Sequence, residues 1–158
     1  MLHPAVAHFA MSLPIISLLL GVIYLIKPSE LMSKISTRFM VVSSVAIIIA
    51  FFSGKNDGSE VFSLLSPEGQ EVLKNHKELG TYLAMFMPVV AMIKIFGCKT
   101  KRFKVELLAV VLVATVAVSI LAQGKMGGEI TYKYGAHVEK YADGMECLAS
   151  EAEMDDDE

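Results

Sequence analysis

The sequence predicts an all-α, polytopic membrane protein: a bundle of four transmembrane helices with both termini on the outer side. Three observations predict it. Hydrophobic residues make up 54% of the 158 positions and charged residues only 20%, more apolar surface than a soluble domain of this size hides. The apolar residues are gathered into runs, and Pro4 to Ile26 is 23 positions without a Lys, Arg, Asp or Glu. The runs are continuous, not alternating, which excludes barrel strands. In lipid, their backbone groups must then bond within each segment, as helices. Intrinsic disorder, collagen and disulfide scaffolds are excluded by the same composition.

Each element follows from its run. Spans are expected at about 4–26, 37–53, 79–98 and 105–123, each near the ~20 residues that cross a hydrocarbon core. Only Lys94 interrupts the third span, and it is expected to snorkel to the headgroups. The 54–78 connection should carry structure of its own. Ser66-Pro67 reads as a helix start, a capping serine followed by proline at the first helical position. Val61, Phe62, Leu64 and Leu65 read as a short amphipathic piece at the interface. Residues 1–138 form the transmembrane domain, and the acidic tail 139–158, ending EAEMDDDE, is expected to be disordered. Ser12, Ser43, Ser44, Ser119 and Gln123 are expected to hydrogen-bond between helices.

Charge sets the orientation. The 27–38 and 94–106 connections hold eight bases and two acids, whereas 54–78 and 124–158 hold six bases and fifteen acids. The basic face is expected in the cytoplasm, with both termini outside, in a bacterial inner membrane. The N-terminus has neither a basic region nor a small-residue cleavage site and reads as mature helix. Cys98 and Cys147 fall on opposite faces, which excludes a disulfide between them, and the absence of CxxCH excludes c-type haem attachment.

The chemistry lies in the histidines. His3, His8, His76 and His137 all fall on the expected outer face, and imidazole is the commonest transition-metal ligand and a haem ligand. His3 and His8 are five residues apart, about 140° around a helix, and cannot share one face. They therefore serve different partners, or His3 sits in non-helical chain before Pro4. On a regular helix a compact site using both is disfavoured, and two ligand pairs, or one pair with supporting residues, fit better. His8 with His76 is the first expected pair, and His3 with His137 the second or a supporting set. Gly80, beside His76, and Gly124, Gly127 and Gly128, after the fourth span, permit close approach of a helix or ligand. Glu129 is a candidate to orient an imidazole.

Several segments resemble one known family. HPAVAHFAMSLPI is similar to the HPxxVHFPIAL opening of the four-helix bacterial membrane family catalogued as domain of unknown function 2231. Gly54-Lys55-Asn56-Asp57 resembles its TGxxD, His76 with Gly80 its histidine before the third helix, and GKMGGEITY its GWLGGELVY. The resemblance covers residue 1 to about 138. It implies four transmembrane helices and a haem- or metal-binding, redox-associated role, with relatives joined to Rieske-type and cytochrome modules. The chain departs from the pattern at Ala10, where the family has proline, and at Tyr134, where many members have histidine. His137, three residues on and so on the same helical face, is expected to substitute.

The leading functional expectation is a b-type cytochrome-like electron-transfer protein holding one or two haems. The alternatives are a non-haem copper, zinc or iron site, with Glu129 or Asp57 as oxygen ligands, and a structural anchor subunit. The acidic outer face would dock a soluble or membrane cytochrome or another redox subunit. A transporter is less favoured because no Asp, Glu or Arg lies mid-span. No hydrolytic triad, phosphate loop or nucleic-acid patch is present, so no independent catalytic activity is expected.

Overall fold

A computed structural model describes residues 3–136; His137 and the acidic tail lie outside the described residues. Four helices follow in chain order: α1 (His3–Ile26), α2 (Glu30–Val61), α3 (Pro67–Thr100) and α4 (Phe103–Tyr132), with one turn of 3₁₀ helix at Phe62–Leu64. All four are long and apolar enough to cross a membrane, and no strand occurs among the described residues.

Local chemistry sets the boundaries. Ser29 Oγ accepts from Met32 N at 3.2 Å and opens α2, and Ser66 Oγ accepts from Gly69 N at 3.3 Å with Pro67 in the first turn of α3. The α3–α4 link is two residues long, with Lys101 in the left-handed region at φ 54°, and Arg102 N closes the end of α3 on Gly97 O at 3.0 Å. The spans reach further than the hydropathy runs suggested. Helix α2 starts at Glu30 and continues through Gly54 and Gly58 to Val61, and α3 begins at Pro67. Residues 54–61 of the expected connection are therefore the end of α2, and from the expected Ser66-Pro67 start the chain runs into the third span as one continuous helix. The apolar residues of the connection do not lie flat on the bilayer: Val61 and Leu65 are buried against Ile130 and Ala136, and only Leu64 stands out.

The helices pack in a ring. Each touches its two neighbours in the order α1, α2, α3, α4 and back to α1, and the pairs α1/α3 and α2/α4 stand diagonally. Met40, Met87, Val90, Val113 and Val116 fill the axis, and Phe9, Leu19, Val45, Ile49, Val111 and Leu121 point outward, as lipid contact requires. One end of the bundle carries the tight turns 27–29 and 101–102 and is called the basic end. The other carries His3, the α2–α3 connection and the end of α4, and is called the histidine end.

Buried polar groups include several that the sequence did not assign to the interior, among them Lys94, Glu106 and Ser17. Lys94 does not snorkel. It is fully buried and paired with Glu106, which had been counted with the connection after the third span. Ser17 donates to Ser43 at 2.8 Å, because Ser43 already donates to Phe39 O at 2.8 Å. Gln123 also bonds between helices, but the Ser12 and Ser119 hydroxyls turn back to His8 O and Thr115 O, one turn earlier on their own helices.

A candidate metal centre at the histidine end

Sevenfold spacing brings the site together. On α1, His3 lies on the same seam as the buried Ala10, Ser17 and Tyr24; on α2, Gly54 lies with Ser33, Met40, Ile47 and Val61. On α3, His76 lies with Leu83 and Val90, and on α4, Gly127 lies with Glu106, Val113 and Ile120. Four inward seams at a near-3.5-residue period are those of a helical bundle. They place two histidines from diagonal helices and two glycines from the intervening helices at one level.

The imidazoles of His3 and His76 meet edge to face, with ring centres 6.5 Å apart and planes at 88°. His3 Nδ1 is 3.2 Å from Ser53 Oγ. That hydroxyl donates its single proton to Ala50 O at 3.1 Å, so toward the ring it accepts. His3 Nδ1 therefore carries the proton and Nε2 keeps its lone pair. Gly54 makes the approach possible: a Cβ there would stand 2.6 Å from His3 Cε1. On the facing side, Gln123 Nε2 donates to His76 O at 2.9 Å and ties α4 to α3. His76 Nδ1, Gln123 Oε1 and Asp57 Oδ2 are buried without a hydrogen-bond partner among the described residues. Such orphaned atoms are rare enough to point to a missing partner.

The expected pairing of His8 with His76 is not the one assembled. His8 is exposed, and its Nδ1 donates back to Pro4 O at 2.6 Å. The reason is the rotation between the two histidines of α1: once His3 faces the axis, His8 faces away. His137, proposed as partner of His3, lies outside the described residues. Of the glycines, Gly127 sits beside His76, with its Cβ position 3.4 Å from Cε1, and Gly128 opens on free space. Gly80 instead accommodates Gln123, and Gly124 the end of Met11. Among the described residues no hydrogen bond joins the Glu129 carboxylate to an imidazole, and no three His, Cys, Asp or Glu side chains converge to hold a metal ion. The 6.5 Å between the ring centres is close to the roughly 6 Å that separates two imidazoles bound to one ion at about 2 Å. Ser53 was missed as a partner, although its position beside Gly54 on the α2 seam was available.

A ring of four long apolar helices joined by short connections defines a polytopic helical membrane protein. The family model described as "Predicted membrane protein (DUF2231)" matches residues 1–140, and the chain belongs to that family. Neither the curated proteins nor the solved structures contain a match.

Proposed function

We propose that the protein holds a metal centre between His3 and His76 and serves as a membrane electron-transfer component, with haem iron as the first candidate. The observation that carries this reading is the histidine pair itself, two imidazoles from diagonal helices 6.5 Å apart across the bundle axis. His3 and His76 would hold the group from opposite helices, and the glycines at Gly54, Gly127 and Gly128 keep bulk away from the space beside them. The protein would supply ligand orientation through Ser53 and a partly apolar enclosure; the iron would supply the electron chemistry.

A second reading, a single copper, zinc or iron ion, draws on the closeness of the packing. A single ion asks for no space beyond the gap between the two imidazoles, whereas a macrocycle also needs room around the pair among the four helices.

The sidedness belongs to the same proposal. With Lys94 and Glu106 removed from the connections to the interior, the basic end still carries seven bases (8 − 1) and one acid (2 − 1). That end is then cytoplasmic and the histidine end periplasmic in a bacterial inner membrane, where the acidic face would meet a cytochrome or redox subunit. The test is an air-oxidised against dithionite-reduced spectrum of the purified protein, with haemochrome quantification and elemental analysis of the same sample. A b-type spectrum supports the first reading, and a stoichiometric metal without haem supports the second. A sample with neither, prepared from haem-replete and metal-replete cells, overturns both.

A further inference from the structure

We propose that Glu106 and Lys94 form a proton-exchange site that opens to water at the basic end of the bundle. Every helix contributes one residue: Tyr24 from α1, Ser33 from α2, Lys94 from α3 and Glu106 from α4. Tyr24 donates to Glu106 Oε1 at 2.8 Å, and Ser33 donates to Oε2 at 2.6 Å beside the Lys94 ammonium. The two charged side chains are 0% and 2% exposed. Gly97 lets them meet, because a Cβ there would stand 2.7 Å from Glu106 Cγ.

A static latch does not need these residues. Replacing a buried ion pair with apolar side chains of similar volume is often neutral or stabilising, and ionisable groups within membrane bundles mark ion and proton paths. Two features separate this pair from a latch. Glu106, Tyr24 and Ser33 line a cavity of about 310 Å³ that also reaches the exposed side chains of Glu30, Lys34 and Lys101. That space is ample for water. In addition, the Lys94 ammonium lies 4.3 Å from the centre of the Tyr24 ring, a partner it keeps when the carboxylate is neutral.

The step is a simple proton uptake. A hydronium ion in the cavity gives its proton to Glu106 Oε2, an O–H bond forms, and the ion pair with Lys94 is lost. Lys94 keeps its charge over the Tyr24 ring, and reversal returns the proton to water. The groups facing the site are Tyr24 on α1, Glu30 and Lys34 on α2, Lys94 and Cys98 on α3, and Lys101 in the turn. Glu30, paired with Lys34 at 2.8 Å and Lys101 at 3.7 Å, is the exposed carboxyl at the mouth, and Glu106 is the buried one that the cavity reaches.

The experiment uses the full chain in neutral lipid vesicles. Dicyclohexylcarbodiimide, which attacks protonated carboxyls in apolar surroundings, is applied across a pH series, and peptide mass spectrometry locates the product. Glu106 should be labelled, as the adduct or as an amide link to Lys94, at least about tenfold more per unit time at the acid end than at the alkaline end. Lys94→Met should raise adduct formation severalfold at a given pH. Glu106 unlabelled at every pH, or labelled equally throughout, would overturn the proposal and leave a permanent ion pair. The readout is independent of what the histidine end binds.

Discussion

His3 and His76 meet with ring centres 6.5 Å apart although the helices that carry them, α1 and α3, are diagonal and not neighbours. Their meeting depends on what the other two helices omit. At that level α2 and α4 present Gly54 and Gly127, so the imidazoles occupy the axis that larger side chains fill elsewhere. At the opposite end the same seams deliver Tyr24, Ser33 and Glu106, with Lys94 one turn before Gly97 on α3. The bundle is thus a mainly apolar column, crossed midway by the Ser17–Ser43 hydrogen bond, with a polar assembly at each end.

The first prediction separates the two histidines of α1. His3→Ala and His76→Ala should each lower bound haem or metal about tenfold or more, the scale on which ligand-site losses are felt. His8→Ala should leave it unchanged, because His8 is exposed and bonded to its own helix. Loss of the centre with His8→Ala and retention with His3→Ala would reverse the assignment.

Ser53 is expected to act through His3. Removing the hydroxyl in Ser53→Ala frees the Nδ1–H, loosens the ring and should weaken metal retention about tenfold, with little change in helix content. Ser53→Thr keeps the acceptor and should restore most of it. Titration of retained metal against a competing chelator measures both.

Glycine requirements at the histidine end should differ sharply. Gly54→Ala puts a methyl group 2.6 Å from the His3 ring, so the ring must leave its place and the centre should be lost. Gly128→Ala meets nothing within 4 Å and should be tolerated. Equal behaviour of the two variants in the absorption spectrum would show that His3 does not sit as described.

The buried pair at the basic end should behave asymmetrically. Lys94→Ala or Glu106→Ala alone leaves an uncompensated buried charge and should cost about 3–5 kcal/mol. Changing both to apolar residues should recover most of that loss. Unfolding of the micelle-bound protein in a denaturant series measures the cycle, and a double variant as unstable as the sum of the singles would mean that the pair is not coupled.

The sequence by itself determined the membrane class, the number of helices and the end of the bundle where the histidines gather, because these depend on run length, hydropathy and the position of charge along the chain. The Ser66-Pro67 start was legible for the same reason: a cap is made by residues three apart. Even the expectation that His3 and His8 on one regular helix serve different partners followed from helical rotation alone. Which of the two faced inward did not, since α1 is apolar on every side and its hydropathy marks no inner face. The spacing of His3, Ala10, Ser17 and Tyr24 held that signal, as polar or small side chains every seventh residue. Tertiary structure also decided the fate of Lys94. Near the end of an apolar run, a lysine can reach headgroups or a partner, and only the approach of α4 at Gly97 shows that Glu106 is that partner. Pairing across diagonal or adjacent helices depends on register and rotation, which the packing of all four helices sets together.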